Sequence, residues 1–204
     1  MSTTCGSDPD LAYGRIYVLV EGSTDTLFVE RVVMPAFKRE RPNAVVQVLE
    51  YAARAPRWLR ALLRSIEAQK ADYVFVCDQD ASVCKSSCKL KRQGTCDSLM
   101  SHRICVVDRE IEAWYLAGVD SDACRELKMH FLPSTDGITK EDFAAMRPSR
   151  FSTNLDFMLS IVERFNLNHA LDECRNRSLC YFIDRFCALP SRASPGVART
   201  SQSF

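Results

Sequence analysis

A chain of 204 residues, 47% of them apolar, is long enough for one domain with a real core, or for one domain and a small appendage. Its formal net charge of +1 gives no bulk attraction to a polyanion, so any nucleic-acid contact must come from local basic patches. No apolar run approaches the ~18 residues of a membrane helix, and Met1 to Asp10 lacks the basic and apolar parts of a signal peptide, so a cytoplasmic protein off the membrane is expected.

Residues 1–14 read as a flexible tail. Ile16-Tyr17-Val18-Leu19-Val20 is a continuous apolar run rich in β-branched residues, and predicts a strand, Arg15–Val20, buried on both faces. Ser23 or Thr24 can cap the helix that follows to about Lys38, where Phe28, Val29, Val32 and Val33 recur at helical spacing and Pro35 marks a kink or an early end. Val45–Tyr51 is short and β-branched, a second strand. Pro56–Gln69 repeats Trp58, Leu62, Leu63 and Ile66 on one face, with proline near its start, and predicts a second helix. Tyr73–Cys77 is a third strand. Asp80–Ser101 is polar, basic and rich in cysteine, and reads as a loop around Gly94. Ile104–Val107 is a fourth strand and Glu110–Ala117 a helix.

Strands alternating with helices predict an α/β fold with a small, mainly parallel sheet and right-handed crossovers over residues 15–118. No strand is expected beyond Gly118. Short helical pieces near 121–130 and 140–146 precede longer amphipathic stretches at 154–165 and 169–188, so residues 119–189 form a helical region packed on the sheet. Residues 190–204, rich in Ser, Ala, Arg and Pro, read as a disordered tail.

The chemistry is expected at the strand ends. Glu21-Gly22 follows the first strand and Asp78-Gln79-Asp80 the third; open parallel sheets place their sites at the carboxyl ends of strands. If the first, third and fourth strands are neighbours, one edge collects Glu21, Asp25, Asp78, Asp80, Asp108, Glu110 and Glu112. Carboxylates crowded this way are relieved by raised pKa values or by a bound cation. Oxygen donors with little His or Cys select a hard ion, Mg2+ or Mn2+. Such an ion clamps phosphate oxygens and activates water. Taken singly, each acid reads equally as a helix cap or a solvated loop residue.

Val20-Glu21-Gly22 with Asp25, followed by Asp78-Gln79-Asp80, resembles the Toprim domain of topoisomerases, bacterial primases and the overcoming-lysogenisation-defect nucleases. The resemblance spans Arg15 to Ala117. Asp108-Arg109-Glu110-Ile111-Glu112-Ala113-Trp114 is similar to the Glu-x-Glu-Ala-Trp signature of an uncharacterised Toprim-like family. Asn176-Arg177-Ser178 before an aromatic helix is similar to that family's C-terminal motif, which carries the match to about Leu189. The chain departs from the pattern in the basic, cysteine-bearing segment 82–96 and at Cys180, where a second serine is usual.

The resemblance implies a divalent-metal-dependent nuclease acting on DNA or RNA, transfer RNA included, as the effector of a bacterial anti-phage defence system with a partner ATPase encoded nearby. In it Glu21 is catalytic acid/base and metal ligand, Asp78 and Asp80 are metal ligands, and Asp25 is an auxiliary acid. Glu110 and Glu112 complete a second ion site, with Glu110 preferred because it lies nearer the strand end. A non-catalytic effector subunit held by the ATPase is the alternative, and a homo-oligomer is left open.

Lys85, Lys89, Lys91 and Arg92 form a basic run that either faces solvent or neutralises phosphates beside the site. Arg54, Arg57, Arg60 and Arg64 make a stripe on the second helix that is open to the same two readings. Cys84, Cys88 and Cys96, with His102, offer a zinc spacing that does not match a paired Cys-x2-Cys arrangement. The other cysteines, among them Cys77, Cys105, Cys180 and Cys187, read as small buried hydrophobes and not as a disulfide framework. Trp58 and Trp114 read as core. No phosphate-binding Gly-x4-Gly-Lys loop is present.

Overall fold

The computed structural model describes residues 14–79 and 82–187. Of the expected tails, all of 190–204 and all of 1–14 but Gly14 lie outside the described residues, as does Asp80. The fold is α/β, a four-stranded, all-parallel sheet flanked by helices and followed by a helical C-terminal part. The strands are β1 (Arg15–Val20), β2 (Val45–Glu50), β3 (Asp72–Asp78) and β4 (Ile104–Val107), in the order β2-β1-β3-β4. Alternation along the strands builds two cores. Ile16, Val18 and Val20 of β1, Val74 and Val76 of β3, and Cys105 and Val107 of β4 face one layer. Tyr17, Leu19, Tyr73, Phe75, Cys77, Ile104 and Val106 face the other. β1, β3 and β4 therefore read as continuously apolar because both of their faces are covered, whereas β2, at the sheet edge, stays partly exposed.

The larger core lies under α1 (Ser23–Phe28), α2 (Met34–Glu40), α5 (Glu112–Ala117) and the C-terminal helices. Phe28, Phe37, Trp114, Phe157 and Phe182 meet there with no exposed surface. The C-terminal elements are α6 (Ser121–Leu127), α7 (Lys140–Met146), α8 (Asn154–Val162), α9 (Leu167–Asp172) and α10 (Arg177–Phe182). The smaller core lies under α3 (Pro56–Ala68), through Leu59, Leu63 and Ile66, and under α4 (Lys85–Thr95), through Cys88.

Three sequence expectations change. Pro35 neither ends nor breaks its helix, which runs on to Glu40 through a π-helical turn at Val29–Val33. Proline lacks an N–H, and its ring crowds the carbonyl four residues back. The wider turn just before it takes up both defects. Second, the segment expected as a loop around Gly94 contains an eleven-residue helix, α4. Ser87 Oγ accepts the Cys84 N–H at 3.2 Å and donates to the Cys84 carbonyl at 2.8 Å, and Lys, Leu, Arg and Gln are good helix formers. Third, the stretch at 169–188 is divided. Cys174 takes a left-handed conformation (φ 44°), and Asn176 starts α10 by accepting the N–H groups of Ser178 and Leu179.

The other readings resolve as follows. Trp114 is fully buried. Trp58 is only partly buried, with the Arg54 guanidinium 5.5 Å from its ring centroid. All nine cysteines among the described residues are free. Cys84 starts α4 and Cys96 follows its end, so a helix of ~16 Å separates them and the zinc arrangement is not assembled among the described residues. None of the described helices is long and apolar enough to cross a membrane.

Candidate active site

The chain leaves β1 for β2 on one side and returns to place β3 on the other, so the sheet changes direction between β1 and β3. Helices diverge at such a switch point and open a crevice at the carboxyl edge. Leu19 pairs with Phe75, which puts Glu21 and Asp78 at adjacent strand ends on that crevice.

At the end of β1, Gly22 is extended, and the chain turns directly into α1. Neither Ser23 nor Thr24 supplies the expected cap. Instead the Thr26 N–H and hydroxyl both donate to the Gly22 carbonyl, at 3.0 and 3.1 Å. The tight turn carries Asp25 inward, where it is 5% exposed, and its Oδ1 has no hydrogen-bond partner among the described residues. Burial, reinforced by the charges of Glu21 and Glu112, pushes the Asp25 carboxyl up to about 6, against the pull of local backbone N–H groups.

At the end of β3, the Gln79 N–H donates to the carbonyls of Val107 and Arg109, both at 3.1 Å, and ties this edge to the turn after β4. The Cys88 thiol donates to the Asp78 carbonyl at 3.5 Å and lies 3.9 Å from the Cys77 sulfur. This seats α4 against the strand end. One turn later α4 presents Arg92, whose Nη2 lies 3.3 Å from Glu21 Oε1. Tyr51 closes the floor. Its hydroxyl donates to the Val76 carbonyl at 3.0 Å and its ring stacks on Phe75 at 4.3 Å. Burial, with the Glu21 charge second, drives its phenol far above the ordinary range.

At the end of β4, Glu110 and Glu112 part company. Glu110 accepts the Lys140 backbone N–H at 2.6 Å, and its Oε1 lies 3.3 Å from the Lys140 ammonium, so it is engaged at the start of α7. Glu112, in the first turn of α5, is the one whose charge reaches Asp25. Its own carboxyl is raised by burial and then by Glu110. Glu110, the one preferred from the sequence, is thus tied to Lys140, while Glu112 is the acid whose charge is felt at Asp25. A residue two positions further along a helix points elsewhere, and α5 begins only at Glu112. The Tyr115 hydroxyl donates to the Thr24 carbonyl at 2.6 Å and locks α5 to the turn that carries Asp25.

The resemblance motifs meet behind this edge. Ser178 Oγ accepts the Trp114 indole N–H at 2.8 Å and the Asp108 backbone N–H at 3.1 Å, and donates to Asn176 Oδ1 at 2.7 Å. The Glu-x-Glu-Ala-Trp and Asn-Arg-Ser segments are thus one buried joint, and Asn176, Ser178 and Trp114 hold the acids without touching the crevice.

The basic run is dispersed. Lys85 and Lys91 are exposed, Lys89 donates to the Ser101 carbonyl at 3.2 Å, and Arg92 faces Glu21. Sequence reasoning placed Arg92 with the phosphate-facing lysines and missed it as the partner of Glu21. Only the helical register of α4 relates the two. Tyr51 and Tyr115 were missed outright.

The donor set is all oxygen, and a buried carboxylate atom without a partner faces an excess of negative charge. Both suit a hard divalent cation, for which Glu21, Asp25, Asp78 and Glu112 are the available side chains. In this conformation no three His, Cys, Asp or Glu side chains among the described residues stand close enough to enclose one, and Arg92 supplies the positive charge at Glu21. No protein-family model matches the chain, and no curated protein or solved structure is significantly similar to it.

Proposed function

We propose that the protein is a divalent-metal-dependent nuclease of Toprim type, hydrolysing phosphodiesters of DNA or RNA at the carboxyl edge of β1 and β3. The observation that carries this reading is Asp25, a carboxyl buried beside Glu21 and Glu112 at the switch point of a parallel sheet, with one oxygen unpartnered among the described residues. A structural acid in such a place normally finds a partner. When bound, Mg2+ or Mn2+ supplies an acidified water and neutralises charge on the phosphate. Glu21, Asp25, Asp78 and Glu112 would hold it, with Asp80 as the further donor that the Asp-x-Asp spacing provides. Asp25, whose carboxyl is pushed up to about 6 by burial and then by the charges of Glu21 and Glu112, is the acid that a bound cation would relieve most. The exposed Lys85 and Lys91 of α4 are free to lie along flanking phosphates.

A second reading is favoured by a different observation. Glu21 is ion-paired to Arg92 and Glu110 is engaged with α7, which is how acids look in a non-catalytic effector subunit. The partner ATPase and the role in anti-phage defence rest on the resemblance alone.

One experiment divides the two readings. Purified protein is incubated with Mg2+ or Mn2+ and a panel of DNA, total RNA and transfer RNA, beside Glu21→Gln. Cleavage by wild type that falls at least about a hundredfold in the variant is the expected result. Well-folded protein that cuts nothing, with and without the neighbouring ATPase, favours the effector.

A further inference from the structure

Glu21 is the residue the proposed reaction leans on most, yet its carboxylate is held by a cation from its own chain. We infer that Arg92 is an internal counter-cation at Glu21, competing with a divalent ion for its carboxylate. The inference rests on reading the acids as a metal site.

Three features support it. The first is that the contact is built. Cys88, one turn before Arg92, packs 3.9 Å from Cys77 and bonds to the Asp78 carbonyl, so the backbone of α4 is fixed against β3 and the guanidinium is delivered from a rigid element. The second is burial. The side chains of Arg92 and Glu21 are 22% and 29% exposed, less than for a typical surface pair, so their attraction is only partly screened. The third is charge. The Arg92 guanidinium meets Glu21 at 3.3 Å, and on the same edge buried Asp25 keeps one oxygen without a partner among the described residues. A divalent ion carries twice the charge of a guanidinium and can take several oxygens at once. Arg92 and the ion compete for the same oxygen. Arg92 is then a positioning residue that acts through Glu21.

Manganese(II) binding by the whole chain, read from the electron paramagnetic resonance signal of the free ion, tests this without any cleavage assay. Wild type, Arg92→Met, Arg92→Gln and Glu21→Gln are compared after circular dichroism confirms that each is folded. Both Arg92 variants are expected to bind manganese about tenfold more tightly than wild type, and Glu21→Gln more weakly. A gain in affinity is not what simple loss of structure produces. Arg92→Gln removes the charge but keeps a polar side chain, and serves alone if Arg92→Met fails to fold. Equal or weaker binding by the Arg92 variants, with binding still dependent on Glu21, overturns the competition and leaves the metal site standing. No binding by any variant removes both.

Discussion

Asp25 shows what a single residue reveals about selection. A carboxyl raised to about 6 in the folded chain, against 3.8 ordinarily, makes the ionised form a burden on the native state. Below about pH 3 it is largely protonated whether folded or unfolded, and adds little penalty. As pH rises from there to about 6, the unfolded chain ionises first and the native state loses up to about 3 kcal/mol. Asp25→Asn should therefore melt several degrees higher than wild type at pH 7.5 in a chelating buffer, and at nearly the same temperature at about pH 3. Thermal denaturation at both pH values checks this; a gain that is the same at both would mean the penalty is not one of charge. A residue that weakens the fold at neutral pH is more easily understood as serving chemistry than packing.

At the scale of elements, backbone fit decides where the acids stand. Gly118 ends α5 at an ordinary φ of −93°, so its need for glycine is one of space. A Cβ there would meet the Phe165 ring at 2.5 Å. Gly118→Ala should lose about 1–3 kcal/mol. Phe165→Leu in the same chain should return part of that loss, which a double-mutant cycle of denaturant unfolding measures. Additive losses would show that the ring yields without strain. The helix α4 illustrates the limit of sequence reading at this scale. Its single buried side chain, Cys88, makes no apolar stripe, and Gly94 suggests a loop, so neither the helix nor the Arg92–Glu21 pair was visible. β1, β3 and β4 were plain because each is apolar on both faces, whereas β2 is partly exposed and showed itself only by its short β-branched run. Choosing between Glu110 and Glu112 depended on where α5 starts, a matter of one turn.

For the whole molecule, the sheet and the C-terminal helices share one core. Phe28 and Trp114 pack 5.7 Å apart, and Trp114 lies 5.3 Å from Phe182. A chain ending at residue 118 would expose Phe28, Trp114 and Tyr115 together, and is expected to lack a cooperative transition. A chain ending at 187 should unfold in one step. Calorimetry of the two distinguishes a shared core from an added cap. The alternation of strands and helices was enough to foresee the parallel sheet. The joint between Trp114 and Ser178 was not foreseeable, because the residues stand 64 positions apart and the hydrogen bond that links them leaves no periodic trace.

That joint also sets an order in time. Every acid of the crevice has been synthesised by the time Glu112 leaves the ribosome, but the turn holding Asp108 and the indole of Trp114 stay unfastened until Ser178 follows. At ~5–20 residues per second, several seconds pass between the two. During that interval the nascent chain carries the acids without the frame that converges them. On the proposed reading as a nuclease, the site would stay without its frame until Ser178 has been made.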